Sequence, residues 1–480
     1  MKRSKKMIAL VAVLVVACIA TFALTQYEEK QEEIKNSDAV ILEIPVDTVQ
    51  SLSWEYTEDG LAFHKGEDGW LYDDDEAFPV SVEKVEDILS NFEAFGVSFI
   101  IENVEDYSQY GLDDPECTIS LSTAEQSYDI KLGAFSKMDE QRYVDIGDGN
   151  VYLVSNDPMD FLQSSLSSMI EHDDTPGFEN VVDITFDGSE NYTIVKTEDS
   201  PNTYNIEDVY FAQIDGAELP LDTSEITDYL NTITGLDLLT YATYNATEEE
   251  LASYGLDNPE LTVTVNYTYT DDDDNEVSDT CVIHIGQNPE ELEAYEAAEE
   301  AEEEDLPDVS KYVRIGDSQI VYELDDVDYI SLSLASYNNL RHREVIWADF
   351  ETVTQIDITL EGKNHTITTS LDEEDEDAER VWYYGEEELD VGKLQTALEN
   401  LSADSFTDEV PSEKEEISLT VYLDNENFPQ VKIQLYRYDG SLCLAVIDGE
   451  TVSLVDRSAV MELVEAVQSI VLNKAQSSEA

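Results

Sequence analysis

Apolar and polar residues alternate in many short stretches of this chain, and this alternation predicts antiparallel strands with one buried and one solvated face. Thr118 to Leu121 and Tyr143 to Ile146 show the pattern. A strand of the same kind leads into each of three successive segments, which we call repeats one, two and three. These leading strands are predicted at Ser51 to Tyr56, Val181 to Phe186 and Gln355 to Leu360.

Apolar residues at helical spacing follow the leading strands in every repeat. Helices are predicted after an N-cap at Ser81 in repeat one, after Thr223 in repeat two and after Asp390 in repeat three. The predicted fold is therefore α+β, with tandem repeated units of mainly antiparallel sheet and covering helices. The face of the first helix is assigned to Val82, Val85, Ile88, Leu89, Phe92 and Phe95. Closing helices are predicted around Phe161 to Ile170, Val327 to Leu334 and Val460 to Val471.

A Tyr-Gly-Leu-Asp-x-Pro motif occurs once in repeat one and once in repeat two, each time before strand-like sequence. Glycine permits a positive φ and proline blocks ladder hydrogen bonding, so we interpret the motif as a structural corner rather than a ligand site. Its residues are Tyr110, Gly111, Leu112, Asp113 and Pro115 in the first copy, and Tyr254, Gly255, Leu256, Asp257 and Pro259 in the second.

Further landmarks follow both copies of the motif in the same order. An apolar-polar-apolar-Gly ending occurs at Ile130 to Gly133 and at Ile283 to Gly286, and a Tyr-Val strand occurs later in each repeat. Repeat three lacks the motif but keeps the strand succession, with Asp448-Gly449 as a predicted turn. Repeat three is therefore predicted to be a degenerate copy.

These landmarks predict the division of the 480 residues. Repeat two contains a Glu/Ala-rich acidic insertion at 288–306, which is predicted to be an exposed helix or a disordered loop. The predicted segments are a head and anchor at 1–26, a linker at 27–39, repeat one at 40–175, repeat two at 176–345, degenerate repeat three at 346–474 and a tail at 475–480.

The N-terminal residues predict one transmembrane helix ahead of the repeats. A basic head precedes Met7 to Leu24, which carries no charge and is long enough, at about 1.5 Å per residue, to cross a bilayer. Positive charge on this side predicts a cytoplasmic N-terminus and an extracytoplasmic bulk, so we expect a single-pass protein of the cell membrane. Two alternatives stay open: a cleaved secretion signal, and a lipoprotein anchored through Cys18, because Val15 to Cys18 resembles a bacterial lipobox.

Charge and motif content narrow the function classes. The chain has 24 Lys+Arg against 110 Asp+Glu, a formal net charge of −86, which argues against nucleic acid as a partner. The five histidines are dispersed, and no HExxH, GxSxG or nucleotide-binding glycine loop is present. We therefore predict no catalytic, cofactor-binding or metal-binding residues, and no cofactor.

Two other residue classes have structural interpretations. Cys117, Cys281 and Cys443 lie in strand-like runs and are predicted to be buried free thiols. Acidic runs at Asp271 to Glu276 and Asp372 to Glu379 are predicted hairpin tips, where any cation binding would be weak and non-specific.

The repeated landmarks resemble the bacterial domain of unknown function 4340 family. The resemblance rests on the N-terminal anchor, on Tyr110 to Pro115 and Tyr254 to Pro259, and on the strand endings at Gly133 and Gly286. It covers residues 40–340 well and 346–474 by pattern only. The resemblance implies a membrane-bound protein with repeated α+β domains, and some relatives look linked to ABC-type export or gliding-motility machinery. It supplies no catalytic or binding residues.

The expected function is that of a membrane-anchored, extracytoplasmic, non-enzymatic scaffold or binding protein. The expected partners are the membrane, through the N-terminal helix, and a transport-type membrane protein complex to which the chain would be accessory. The sequence leaves the oligomeric state undetermined. It also leaves two alternatives open: a cell-surface carbohydrate-active or other hydrolase module that uses acidic residues, and a cation-dependent adhesin.

Overall fold

The computed structural model describes residues 33–56, 59–67, 69–154, 156–302, 305–370 and 380–477. The chain forms two compact units that divide between Asp173 and Asp174. The first unit contains one β-sheet and the second contains two, which we call sheets one, two and three in chain order. The predicted anchor lies outside the described residues. Within them, no helix is both long and apolar enough to cross a membrane.

Sheet one has ten antiparallel strands among the described residues. The strands are β1 (Glu33–Asn36), β2 (Val40–Leu42), β3 (Val49–Tyr56), β4 (Asp59–Lys65), β5 (Trp70–Tyr72), β6 (Phe95–Glu102), β7 (Cys117–Thr123), β8 (Ser127–Ser136), β9 (Gln141–Asp145) and β10 (Val151–Val154). Their order is β1-β6-β10-β9-β8-β7-β3-β4-β5, and β2 also pairs with β6. The helices are α1 (Val82–Ser90) and α2 (Met159–Leu162), with 3-10 turns at Val46–Thr48, Tyr107–Tyr110 and Leu166–Met169.

Sheet two has nine antiparallel strands in the described part of the chain. The strands are β11 (Asn180–Asp187), β12 (Asn191–Lys196), β13 (Tyr210–Ile214), β14 (Ala217–Pro220), β15 (Tyr241–Thr243), β16 (Leu261–Thr270), β17 (Glu276–Gln287), β18 (Lys311–Ile315) and β19 (Val321–Leu324). Their order is β14-β13-β12-β11-β16-β17-β18-β19-β15. The helices are α3 (Thr223–Thr234), α4 (Glu248–Leu251), α5 (Pro289–Glu300), α6 (Asp326–Ser333) and α7 (Tyr337–Leu340), with a 3-10 turn at Ala252–Tyr254.

Sheet three also has nine antiparallel strands within the described ranges. The strands are β20 (Val353–Leu360), β21 (Lys363–Ser370), β22 (Val381–Tyr384), β23 (Glu387–Leu389), β24 (Ala403–Phe406), β25 (Glu415–Leu423), β26 (Gln430–Arg437), β27 (Leu442–Ile447) and β28 (Glu450–Asp456). Their order is β23-β22-β21-β20-β25-β26-β27-β28-β24. A 3-10 turn at Phe350–Thr352 precedes β20, and the helices are α8 (Gly392–Glu399) and α9 (Arg457–Ser477).

The three sheets repeat one topology. Sheets two and three have the same strand order. In each, the fifth of the sheet's nine strands lies at one edge beside the ninth, as β15 lies beside β19 and β24 beside β28. Sheet one places β3 to β10 in the corresponding order and adds β1 and β2 beside β6, but within the described residues its edge ends at β5, with no counterpart of β14 or β23. The predicted α+β class, the antiparallel sheets and the repetition are confirmed. Repeat three keeps the full strand order although it lacks the corner motif.

A register shift also recurs at the same place in the leading strand of each sheet. An extra residue at such a bulge bends the strand and sets which side chains face the core. The shifts fall between Val49 and Ser51, between Val181 and Asp183, and between Val353 and Gln355.

Helices cover the apolar face of sheets two and three. In sheet two, the Phe186 ring lies 5.4 Å from the Tyr229 ring of α3, and the Tyr229 hydroxyl donates to the carbonyl of Leu332 in α6 (2.9 Å). In sheet three, buried residues of β20, β25 and β26 share one core with Leu394 of α8 and Leu463 of α9. The apolar side chains that alternate along the strands therefore pack against the apolar faces of the helices in one common layer.

Two of the predicted helices need correction. α1 ends at Ser90, and Phe95 is the first residue of β6 rather than part of the helical face. Its ring packs 5.4 Å from the ring of Phe92, so both residues are buried although they belong to different segments. The helix predicted around Phe161 to Ile170 is instead broken into the short α2 and a 3-10 turn.

The predicted helix starts also differ in detail. Ser81 does precede α1, but its side chain makes no capping hydrogen bond. Asp222, rather than Thr223, caps α3, and its carboxylate accepts a hydrogen bond from the backbone N–H of Ser224 at 2.8 Å. A carboxylate at this position also interacts favourably with the helix dipole. α8 begins at Gly392, two residues after Asp390.

Most of the acidic segments lie at turns or on an added helix. Asp271 to Asn275 connect β16 to β17, as predicted for a hairpin tip. The insertion at 288–306 forms α5 over most of its length, so the helical alternative is the observed one. The Asp448-Gly449 turn connects β27 to β28 as predicted, and both residues have positive φ. Asp372 to Glu379 lie outside the described residues.

Candidate functional site

The two copies of the corner motif adopt the same backbone turn. Tyr110 ends a 3-10 turn and is followed by Gly111 at φ 71°, and Tyr254 ends another that is followed by Gly255 at φ 66°. This left-handed conformation is costly for residues with a Cβ atom, which explains the glycine in each motif. The backbone geometry matches the structural corner that the sequence predicts.

Each corner packs its tyrosine and leucine against the sheet. The Tyr110 ring lies 4.9 Å from the ring of Tyr143, and the Tyr254 ring lies 4.8 Å from the ring of Tyr312. The corners thereby form two small hydrophobic clusters. The first contains Ile101, Tyr110, Leu112, Val151 and Leu153, and the second contains Ala246, Leu251, Leu256, Tyr312 and Val321.

A second glycine makes room for each corner. A Cβ atom on Gly133 would overlap the carbonyl oxygen of Tyr110, and a Cβ atom on Gly286 would lie 2.6 Å from the carbonyl oxygen of Gly255. The strand ending in glycine is therefore the surface on which the corner backbone rests. This contact explains why the motif and the later glycine occur together in repeats one and two.

The remaining motif residues do not converge on a pocket. Asp113 and Asp257 are exposed, whereas Pro115 and Pro259 are half-buried two residues before β7 and β16. A proline there cannot donate a ladder hydrogen bond, so it suits the entry to a strand. The ten motif residues thus divide into packing, turn and strand-entry positions.

His342, one of the five histidines that are dispersed in sequence, lies in a buried polar cluster of the second compact unit. The Nε2 atom of His342 lies 2.8 Å from Oδ1 of Asp208, and these side chains are only 8% and 2% exposed. The other oxygen of Asp208 accepts hydrogen bonds from the Thr203 hydroxyl (2.5 Å) and from the Trp347 indole N–H (3.1 Å). The Trp347 ring stacks on the imidazole at 4.5 Å.

The second imidazole nitrogen of His342 faces two more carboxylates. Nδ1 lies 3.7 Å from Oδ2 of Asp222 and 3.8 Å from Oε2 of Glu344, both too long for hydrogen bonds. The three atoms lie within 4.8 Å of one another. They come from the cap of α3 and from the segment that leads from α7 toward β20, so the fold, not sequence proximity, brings them together.

The charges of the cluster shift the pKa values of its members. Burial opposes the charged imidazole, but hydrogen bonding to Asp208 and the nearby carboxylates outweigh it and raise the pKa of His342 to about 9. The interaction with His342 lowers the pKa of Glu344 below its ordinary value. The group therefore concentrates negative charge around one imidazole, and its nitrogen and oxygen donors are of the kinds that bind divalent metals.

Comparison with known protein families identifies the chain's relationship. A family model described as a domain of unknown function (DUF4340) matches residues 70–243 and again residues 213–420. Together the matches span more than half of the 480 residues. The chain belongs to the DUF4340 family. No curated protein and no solved structure matches it.

In this DUF4340 chain the guanidinium of Arg142 holds together the segments around the first corner. Arg142 donates to the carbonyl of Gly133 (2.6 Å), to Glu116 (2.7 Å) and, through Nε, to both oxygens of Asp157 (2.7 and 2.8 Å). Burial alone would lower the pKa of Arg142, but these carboxylates raise it above its ordinary value. The guanidinium therefore ties the strand glycine, the corner and the start of α2 together.

The second corner of the DUF4340 chain has a weaker version of this arrangement. Lys311 occupies the position of Arg142, because Val313 and Val144 pair with Ile285 and Leu132 in the same register. Its ammonium lies 2.6 Å from Asp326, whose side chain is 79% exposed. The ammonium also donates to the carbonyl of Val309 (3.0 Å) and lies 5.5 Å from the centre of the Tyr329 ring. Its one carboxylate partner is solvated, so this ion pair contributes less than the buried bidentate pair of Arg142 and Asp157.

The free thiols are buried as predicted, one in each sheet. Burial raises the pKa of Cys117, Cys281 and Cys443 to about 11. Sequence reasoning missed the His342 cluster, because His342 and Asp208 are 134 residues apart and no fixed spacing links them. A weak sequence signal is the pairing of His342 with Glu344, two residues later, at the end of repeat two.

Proposed function

We propose that this DUF4340 chain is a membrane-anchored, extracytoplasmic, non-enzymatic scaffold or binding protein, accessory to a transport-type membrane complex. The observation that carries the proposal is a sheet topology repeated three times, with half-buried hydrogen-bonding side chains on the outer face of each sheet. We define the outer face of a sheet as the side opposite the alternating core residues of its leading strand. In sheet three, for example, the core residues Ile356 and Ile358 of β20 alternate with outer-face Gln355, Asp357 and Thr359.

Hydroxyl and amide groups are common on these outer faces. The strands of sheet two contribute Thr262, Thr264, Asn266 and Thr268, which alternate with buried core residues in β16. Cross-strand hydrogen bonds hold such side chains in place in every sheet. They join Ser51 with Ser122 (2.5 Å), Thr185 with Thr193 (3.1 Å), and Thr366 with Asp357 (2.8 Å).

Such faces suit contact with another protein better than most of the surface of this chain. A net charge of −86 makes burial of an average surface patch costly, since unpaired charges must lose their hydration. The hydroxyl and amide groups on these faces are neutral, and several are already hydrogen-bonded, so they cost less to cover than charged neighbours such as Asp357. Interface centres are likewise depleted in charged residues. The repeated outer faces therefore favour a scaffold that binds through several similar surfaces.

The location belongs to the same proposal. The charge-free stretch from Met7 to Leu24 supports an anchor with the repeats outside the membrane, and the Cys18 lipid anchor is the alternative. Membrane fractionation of full-length protein, with protease added to intact cells, tests this part. A variant lacking residues 1–26 is expected to be released from the membrane fraction. In intact cells that make the full-length protein, added protease is expected to digest the repeats. Repeats of the full-length protein that stay protected from protease would contradict this part.

Site-specific photocrosslinking tests the binding role in intact cells. A photoreactive residue replaces Ser53, Thr264 or Thr420, one on the outer face of each sheet. We expect discrete crosslinks to an integral membrane protein from at least one outer-face position.

Matched controls place the same residue on exposed helix positions. Glu86 of α1, Asp228 of α3 and Thr396 of α8 serve this purpose. Crosslinks that are equally frequent at outer-face and helix positions, or absent from all six, would contradict binding through the outer faces.

A cation-dependent binding protein is the second candidate function. It is favoured by the convergence of Asp222, His342 and Glu344, whose ligand atoms lie within 4.8 Å of one another. Dependence of the crosslinks on added divalent cation, and their loss with chelator, would support this candidate over a cation-independent scaffold.

A further inference from the structure

Three donor atoms converge beside α3 with spacings that suit a metal better than hydrogen bonds. Nδ1 of His342 lies 3.7 Å from Asp222 Oδ2 and 3.8 Å from Glu344 Oε2. Hydrogen bonds would be about 2.7–3.2 Å long. Ligands about 2.1 Å from a tetrahedral zinc ion are separated from one another by about 3.4 Å, so small side-chain adjustments would complete the site.

The histidine is held in an orientation that suits a ligand. Its Nε2 is hydrogen-bonded to Asp208, which leaves Nδ1 directed at the other two carboxylates. A carboxylate on the far nitrogen is the common outer partner of metal-binding histidines. It fixes the ring and keeps the remaining proton on Nε2 once a metal ion displaces the proton from Nδ1. Trp347 stacks on the same ring and donates to the same Asp208, so the orientation is fixed from two sides.

The carboxylates are also positioned by the fold. Asp222 caps α3 with Oδ1 and its backbone N–H donates to the carbonyl of Leu340 (3.0 Å), so Oδ2 remains for the site. Oε2 of Glu344 is buried and has no donor at hydrogen-bond distance among the described residues, although the imidazole 3.8 Å away lowers the pKa of this carboxyl. A buried carboxylate oxygen without a donor is costly, and a bound cation would satisfy it.

We propose that Asp222, His342 and Glu344 bind one divalent transition-metal ion of the zinc class, with the remaining coordination position open to water. One imidazole nitrogen with two carboxylates favours such ions over calcium and magnesium, which prefer oxygen-only ligands. The Glu344 side chain is 42% exposed, which gives the ion a route to the site. The proposal is independent of the scaffold function.

Calorimetric titration of the full-length, chelator-treated protein in detergent with Zn²⁺ alone tests the site. We expect one tight site above the weak background of the acidic surface. Glu344→Gln should weaken this site at least about tenfold, since even outer-shell changes cost about 10–100-fold. Calcium at equal concentration should not compete.

Glu351→Gln is the matched control, because it removes one carboxylate from an exposed position seven residues away and outside the group. It should leave the tight site unchanged. Glu344→Asp keeps the charge but retracts the oxygen, so it should also weaken the site if coordination rather than charge holds the ion.

A thermal unfolding scan without metal separates coordination from folding. The Glu344 variants should unfold within a few degrees of the parent protein in the absence of Zn²⁺, and only the parent and Glu351→Gln should gain stability when Zn²⁺ is added. The absence of a tight site in the parent protein, or the same affinity in the parent and both Glu344 variants, would overturn the proposal.

Discussion

Sheets two and three have one strand order, yet only sheet two carries a corner. The difference shows at equivalent positions: Gly286 follows Ile285, which pairs with Leu261, whereas Tyr436 follows Leu435, which pairs with Ile417. Sheet three lacks the corner motif, so a tyrosine at this position does not meet a corner backbone such as the one beside Gly286.

The comparison separates what builds the sheet from what the corner adds. The strand order and the bulge in the leading strand persist without the motif, so alternation and turn placement suffice for the topology. The corner adds a small hydrophobic cluster in sheets one and two. The glycine on which it rests is present in both sheets, whereas the cation behind it is Arg142 in sheet one and Lys311 in sheet two.

The largest expected contrast is between the cations behind the two corners. Arg142→Met should lower the free energy of unfolding of the first unit by about 3–5 kcal/mol, because it leaves Asp157 buried without its partner. Lys311→Met should cost the second unit less, about 1–2 kcal/mol, because Asp326 stays solvated and the main loss is the hydrogen bond to the Val309 carbonyl.

Thiol alkylation during urea unfolding, followed by mass spectrometry of peptides, measures this contrast sheet by sheet. The buried Cys117 and Cys281 report on sheets one and two, which avoids treating a protein of several units as one transition. Equal losses in the two variants would mean that the buried ion pairs do not distinguish the corners.

A second contrast concerns the glycines on which the corners rest. Gly133→Ala and Gly286→Ala should each cost about 3 kcal/mol, because the new methyl group meets backbone atoms that cannot move aside. Tyr436→Ala in sheet three should cost about 1 kcal/mol, mainly through the lost hydrogen bond from Gln434. The same thiol assay, read at Cys443 for sheet three, checks the three variants; a Tyr436→Ala loss as large as the glycine losses would contradict the equivalence of these positions.

The parts of the fold that were predictable are those with local signals. The Tyr110 and Tyr254 motifs repeat in sequence, and the strands of sheet three follow from alternation alone. Phe95 was assigned wrongly because it continues the helical spacing of α1 while also opening β6, and only tertiary pairing decides between them. The group of Asp222, His342 and Glu344 could not be predicted, since residues 120 or more positions apart in sequence come together only in the folded chain.

A smaller contrast lies in the turn that leads into the second corner. Thr247 and Glu250 form a capping box at the start of α4, so Thr247→Ala should cost sheet two about 1 kcal/mol. The Thr407 hydroxyl, directly after β24 of sheet three, accepts a backbone hydrogen bond from Glu409 (3.2 Å) but is not part of a capping box, so Thr407→Ala should cost less. Urea midpoints read at Cys281 and Cys443 test the order; a larger loss from Thr407→Ala would reverse it.

The smallest contrast is expected between the thiols of sheets two and three. Burial raises the pKa of both Cys281 and Cys443 to about 11 in the folded protein, against about 9 when exposed. Because the folded pKa is the higher one, each buried thiol's contribution is complete below about pH 9 and is lost as the pH rises toward 11. Both sheets should therefore lose stability in parallel over this range, and Cys281→Ala or Cys443→Ala should flatten the loss in its own sheet only. Because each variant lacks its own thiol reporter, limited proteolysis in urea, read from the peptides of each sheet, measures the loss. A loss confined to one sheet in the parent protein would show that the two thiols, despite equivalent burial, do not share the same environment.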